Sequence, residues 1–211
     1  NASVSNLGSD REKALYKEAI QRDLIAQQLY MKFLFHESFM EIRHAQKLLI
    51  ECYRLVLRGN IKSSGSLLNG LAPEVIHKKN VRARHYLHLG YREREVATQF
   101  MIMADNFRES LYSMRLYKYV KAIKNVKQGK RYALLALIHS RSESPVAYHV
   151  LTFPEIQEGL SHYGGAQTGE LVTVHHDNYY KTQKQPSFYD MVWDRPSLDE
   201  IPEYKDYLNI Q

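Results

Sequence analysis

The segment from Phe107 to Gly129 has the clearest helical pattern in the chain, and it constrains the fold more than any other stretch. Its apolar residues recur at intervals of three and four, so on a helical wheel they occupy one arc of roughly 80°. The spacing predicts an amphipathic helix that packs on a core, with Gly129 as its C-terminal stop. The residues of the apolar arc are Tyr112, Leu116, Tyr119, Ile123 and Val126.

Lysines cover the opposite face of this predicted helix. Lys118, Lys121 and Lys124 follow one another at steps of three residues, and each step turns the helix back by about 60°. On the helical wheel these three positions fall opposite the apolar arc. Such a face is either a plain solvated surface or a site for phosphate groups or an acidic protein.

The densest basic run precedes this helix and contains Lys78, Lys79, Arg82 and Arg84. Residues 61–131 carry 15 Lys and Arg against 5 Asp and Glu, a net charge of +10. The C-terminal segment 185–211 carries 2 against 6, a net charge of −4. This asymmetry predicts either an anionic partner or docking of the acidic segment on the basic region.

The first sixty residues are helical by pattern. Ser9 and Glu12 have the spacing of a capping box, and neither Pro nor Gly follows until Gly59. A second Ser-x-x-Glu begins at Ser38 and predicts a break near His36. We therefore expect two helices, over about 10–35 and 38–58.

Turn-forming residues punctuate the next part of the chain. Residues 60–72 are rich in Gly, Ser and Asn and predict a loop, after which Pro73 is expected to begin a short helix. A further short helix over 81–89 is expected to stop at Gly90. Another helix follows, and Asn106 is expected to turn the chain into the central helix.

Beyond the central helix the pattern becomes strand-like. Residues 131–138 form a continuous apolar run, which predicts a buried strand, and 146–153 and 170–176 are its expected partners. The predicted class is α+β and predominantly helical, with an N-terminal helical bundle and a small C-terminal antiparallel sheet. We expect one domain over 9–185, helical over 9–127 with its sheet over 131–176, and an irregular acidic, aromatic tail over 186–211.

Motifs for catalysis or metal binding are weak. Glu41 with His44, and Glu74 with His77, each have the Glu-x-x-His spacing of di-iron bundles, but the supporting glutamates are missing. Histidines of the expected sheet could serve an enzyme or hold zinc, but no cysteine cluster or paired-histidine motif supports a metal. We therefore predict no metal and no cofactor. The residues considered for that sheet site are His139, His149, His175 and Asp177.

The single cysteine, Cys52, excludes an internal disulfide and is typical of a reducing compartment. Its neighbours Leu49, Tyr53 and Val56 predict a buried thiol on a helix. No apolar run approaches the roughly 18 residues of a membrane-spanning helix, and no signal-peptide pattern opens the sequence. The expectation is a cytoplasmic protein without a transmembrane segment, with secretion into a host cell as the alternative.

Tyrosine-rich helices, a basic amphipathic helix and a small sheet together resemble the accessory domains of large bacterial effector proteins. The resemblance implies no role for any individual residue. From the charge pattern we predict a non-catalytic binding or adaptor module that engages an acidic protein or an anionic lipid surface, with nucleic acid as a further possibility. The alternative is an enzyme that uses histidines of the C-terminal sheet. The predicted contact residues are Lys78, Lys79, Arg82, Arg84, Lys118, Lys121 and Lys124.

Overall fold

The computed structural model describes residues 3–4 and 8–141. Within these residues, four helices follow one another: α1 (Asp10–Met31), α2 (Phe35–His77), α3 (Val81–Asn106) and α4 (Tyr112–Arg141). No strand occurs in this part of the chain, so the predicted α+β class is wrong here. Residues 131–138, expected to be the first strand, belong to α4, whereas the strands expected at 146–153 and 170–176 lie outside the described residues.

The other three helices all pack on α2. Its 43 residues include the stretch 60–72, which we expected to be a loop, and Pro73, which we expected to begin a new helix. A proline inside a helix costs roughly 3 kcal/mol. Burial offsets this cost, because each fully buried leucine contributes about 1.5–3 kcal/mol. The buried residues of α2 around the proline are Leu67, Leu68, Leu71 and Val75.

α1 lies antiparallel to the first half of α2. The cap predicted at its N-terminus is present, since the Glu12 carboxylate accepts hydrogen bonds from the Ser9 backbone N–H, at 2.7 Å, and from the Ser9 hydroxyl. Val4 and Tyr16 pack with Cys52 and Val56 of α2 in one buried cluster. The predicted burial of Cys52 is confirmed.

The second predicted cap, at Ser38 and Glu41, does not begin a helix. α2 already begins at Phe35, and both residues are buried against α1. The Ser38 hydroxyl donates to the Ala26 carbonyl at 2.8 Å, and Glu41 pairs with Arg22 at 3.2 Å. These two side chains therefore join α1 to α2, and the chain reverses at residues 32–34.

α3 and α4 approach each other closely at two glycines. A Cβ atom on Gly90 would lie 2.6 Å from Leu68 Cδ2 and 3.2 Å from the Gly129 oxygen, and a Cβ on Gly129 would lie 3.1 Å from the Gly90 oxygen. We expected both glycines to end helices, but each lies inside one. Their role is to let the helix backbones touch, which no sequence periodicity reveals. Asn106 does end α3 as predicted.

The apolar arc predicted for the central helix is confirmed within α4. Tyr119 and Val126 are fully buried, and the remaining arc residues pack around the same middle cluster. The helix continues to Arg141 because its last three turns are buried between α2 and α3. A short, continuous apolar run has the same sequence pattern in a buried strand and in a buried segment of helix. None of the described helices is both long and apolar enough to cross a membrane.

Candidate binding surface

The reversal between α2 and α3 brings four cationic side chains to one exposed surface. We call Lys78, Lys79, Arg82 and Arg84 the basic turn; all four are exposed. Lys79 has a φ of 54°, in the left-handed region that ends a helix. Asn80 then caps α3, its Oδ1 accepting from the N–H groups of Arg82 and Ala83 at 3.0 and 3.1 Å. The turn therefore has a defined backbone.

Three helices are tied together beneath the basic turn. The Asn80 side-chain amide donates to the His139 carbonyl of α4 at 2.8 Å. Arg141, the last residue of α4, donates two hydrogen bonds to Glu74 of α2, at 2.6 and 2.7 Å. Paired hydrogen bonds of this kind fix orientation as well as distance. The basic turn is thus held on a rigid junction of α2, α3 and α4.

The surface of this junction is electropositive. Within residues 8–141, no ion pair joins a carboxylate to any side chain of the basic turn. Arg84 is fixed instead by its hydrogen bond to the Ile76 carbonyl, at 2.9 Å. Burial lowers the pKa of His139, and the positive charge of Arg82 lowers it further. The lower pKa favours the neutral form of His139, beside the four cations of the turn.

The other three predicted contact residues lie elsewhere. We call Lys118, Lys121 and Lys124 the central lysines. The ammonium groups of Lys118 and Lys121 lie 5.1 and 5.9 Å from the centre of the Phe100 ring on α3. Phe100 is 18 residues beyond Arg82, which at 1.5 Å per helical residue is roughly 27 Å. The seven predicted residues therefore form two separate groups.

At the opposite end of α2, the reversal between α1 and α2 exposes a large apolar surface. The Phe33 side chain is 79% exposed, and its backbone φ is 64°. Arg43 lies over the Tyr112 ring at 5.2 Å, so α4 begins beside Arg43, and Phe35 projects roughly 12 Å beyond that level. We call this surface the apolar tip. Its exposed residues are Tyr30, Met31, Phe33, Phe35, Phe39, Met40 and Ile42.

The apolar tip was not predicted, and none of its residues was among the predicted contact residues. The available signal was density: large apolar residues occur at eight of the thirteen positions 30–42, on too many sides of two helices for all to be buried. Exposed apolar surfaces of this size are typical of interaction sites.

The weaker candidate sites do not assemble. Glu41 and Glu74, the acids of the two Glu-x-x-His motifs, are 33 residues apart on α2, or roughly 50 Å, and each pairs with an arginine. No group of three or more metal-binding side chains occurs in the part of the chain that the structure describes. His139 is on a helix rather than a strand, while His149, His175 and Asp177 lie outside the described residues.

A bundle of four helices with a cationic turn and an apolar tip at opposite ends of its longest helix belongs to the class of helical binding modules. A family model described as surface protein adhesin OmpL37 matches residues 1–206. The chain therefore belongs to the OmpL37 family of surface protein adhesins. No curated protein and no solved structure matches the chain.

Membership of this family bears on two predictions. An adhesin is a binding protein, which supports the predicted non-catalytic binding role without identifying the partner. A surface protein points to the cell surface, so the expected cytoplasmic localisation is wrong. That expectation was based on the single cysteine and on the lack of signal-peptide and membrane-spanning patterns in the sequence. Cys52 is buried and has no second cysteine to pair with, so it carries no information about the redox state of its compartment.

Proposed function

We propose that this chain is a non-catalytic adhesion module and that it contacts an acidic partner protein through the basic turn. The adhesin family supports the binding role. The observation that carries the chemical part is the basic turn itself. Its four cations are exposed, and among the described residues none forms an ion pair with a carboxylate, although the positive charge of Lys78 helps to lower the pKa of Glu74, which is hydrogen-bonded to Arg141. Clustered cations raise the local concentration of an anionic partner and speed its association.

Two features favour a protein over a nucleic acid as the partner. Ile76 and Val81 are exposed beside the four cations, so the surface mixes charge with apolar contacts, as protein interfaces do. Base stacking needs free aromatic faces. Among the described residues, Tyr86 lies at this end, and its ring is already stacked on His139 and Tyr132, with centroid distances of 5.2 and 6.1 Å.

The central lysines provide a matched control. A triple reversal of the basic turn (Lys78→Glu, Lys79→Glu, Arg82→Glu) and one of the central lysines (Lys118→Glu, Lys121→Glu, Lys124→Glu) change the net charge equally. The central lysines lie on a different part of the bundle, with Lys118 and Lys121 over an aromatic ring. The two variants therefore separate a site from a general charge effect.

Binding to immobilised poly-glutamate is the direct test, with vesicles containing phosphatidylserine and a labelled RNA measured alongside. We expect the basic-turn reversal to weaken binding to poly-glutamate at least about tenfold, which is about 1.4 kcal/mol. The central-lysine reversal should change it less than about threefold. Equal losses in both variants, or stronger binding of the wild type to vesicles or RNA, would contradict the proposal.

A further inference from the structure

The described part of the chain ends at Arg141, beside the basic turn. Arg141, the last residue of α4, is held against Glu74 by hydrogen bonds of 2.6 and 2.7 Å. Two residues earlier, the His139 carbonyl accepts from Asn80, which lies between the lysines and arginines of the turn. Residues 142–211 therefore begin next to the surface that we propose as the binding site.

The two parts of the chain have opposite charge. Residues 1–141 carry 25 Lys and Arg against 12 Asp and Glu, a net charge of +13. Residues 142–211 carry 4 against 11, a net charge of −7. Six of those eleven acidic residues occur in the last 26 positions, interleaved with five aromatic residues. The acidic residues of that segment are Asp190, Asp194, Asp199, Glu200, Glu203 and Asp206.

We infer that residues 186–211 of the same chain dock on the basic turn. Their carboxylates match the four cations, and their aromatic side chains match the exposed Ile76 and Val81. The intervening residues 142–185 can span up to roughly 145 Å when extended, so reach is not limiting. A tethered segment also has an effective concentration far above that of a separate partner.

Docking of this segment has a regulatory consequence, which rests on the proposed function. The segment occupies the same cations that an acidic partner would use, so the partner must displace it. Deleting residues 186–211 should then tighten binding to poly-glutamate, and the basic-turn reversal should abolish that gain. Docking itself does not depend on the partner and is measured without one.

Trp193 makes the docking measurable in the chain of 211 residues. It is the single tryptophan, so it is the source of all tryptophan emission. We expect its emission to shift to the red between about 0.1 M and about 1 M salt, where the Debye length falls from about 10 to about 3 Å. The basic-turn reversal should give the red-shifted spectrum already at low salt, whereas the central-lysine reversal should behave as the wild type does.

A second variant approaches the contact from the other side. Asp199→Asn, Glu200→Gln and Glu203→Gln together should also shift the emission to the red, while the far-ultraviolet circular dichroism stays that of the wild type. An unchanged spectrum in the basic-turn reversal overturns the inference, as does an equal shift in both lysine variants. If the emission responds as expected but the 186–211 deletion does not bind poly-glutamate, the docking holds and the proposed function fails.

Discussion

At the scale of single residues, Cys52 shows how position decides reactivity. Its side chain is fully buried, and Sγ lies 3.3 Å from the Glu12 carbonyl, to which it donates. Burial, and then the negative charge of Glu12, raises the pKa of the thiol to about 12. The thiolate is the reactive form. We expect no labelling by a thiol reagent at about pH 8 in the native protein and complete labelling in denaturant; equal rates would contradict the buried position.

Glu74 is expected to make stability depend on pH. Its hydrogen bonds from Arg141 lower the pKa of the Glu74 carboxyl below the ordinary 4.5. A carboxylate with a lower pKa in the folded state stabilises the fold above the unfolded pKa, and that contribution is lost as the pH falls through the folded pKa. Glu74→Gln should therefore lower the free energy of unfolding by about 1 kcal/mol at pH 7, since both partners are partly exposed.

Thermal unfolding at a series of pH values checks this expectation. The difference in Tm between wild type and Glu74→Gln should be constant above about pH 5 and should shrink below pH 4.5, the ordinary pKa of the carboxyl. Glu95→Gln is the control, because Glu95 is an exposed residue of α3 without a described ion pair. A Tm difference for Glu74→Gln that grows on acidification would show that the pair with Arg141 does not form.

At the scale of helices, the close approach of α3 and α4 at Gly90 and Gly129 can be tested by substitution. A methyl group at position 90 would meet Leu68 Cδ2 at 2.6 Å and the Gly129 oxygen at 3.2 Å, so the two helices must separate. Overpacking of this kind costs typically 1–3 kcal/mol, and we expect Gly90→Ala to destabilise the protein by about that amount. Denaturant unfolding provides the measurement.

Gly59 is the matched control for Gly90. It also lies inside a helix, but a Cβ there would meet nothing within 4 Å. Gly59→Ala should therefore stabilise the protein by about 0.4–1 kcal/mol, because alanine restricts the unfolded chain and no contact opposes it. Destabilisation by both substitutions would contradict this explanation, because helix propensity favours alanine at both positions and only Gly90 has a close contact.

The same glycines explain which elements could be predicted from the sequence. The cap at Ser9 and the apolar arc around Tyr119 are local patterns, and both were predicted correctly. Gly90 and Gly129 were expected to end helices and Pro73 to begin one, but each lies inside a helix. Tertiary packing overrides weak local preferences, and a single sequence does not show which glycine touches another helix.

The candidate binding surface, like the helices, could be predicted only in part. The four cations of the basic turn are close in sequence, so the sequence alone brought them together. The central lysines were grouped with them because both runs are basic. Only the structure shows that α3 and α4 are antiparallel. This order places Lys118 near Phe100, which is roughly 27 Å along α3 from Arg82. Likewise, only the structure shows that α4 begins beside Arg43 and leaves the apolar tip exposed.

At the scale of the whole molecule, α2 separates two exposed ends of different chemistry. Its 43 residues span roughly 65 Å, with the apolar tip around its first turns and the basic turn after its last. Each end is therefore accessible to a partner without the other. The same separation means that residues of the tip contribute little to the cores around Leu57 and Leu134.

This separation predicts that the apolar tip is dispensable for folding. Met31→Ser, Phe33→Ser and Phe35→Ser together should cost no more than about 1.5 kcal/mol, because the ring contacts of Phe35, at 5.3 and 6.0 Å, are the main interactions lost. Ile25→Ser, at a fully buried position of the same helix α1, should cost about 2–5 kcal/mol. Denaturant unfolding measures both, and binding of a hydrophobic dye should fall in the tip variant alone. A tip variant as unstable as Ile25→Ser would mean that these side chains are packed in the native protein, and the tip would then be a core and not a contact surface.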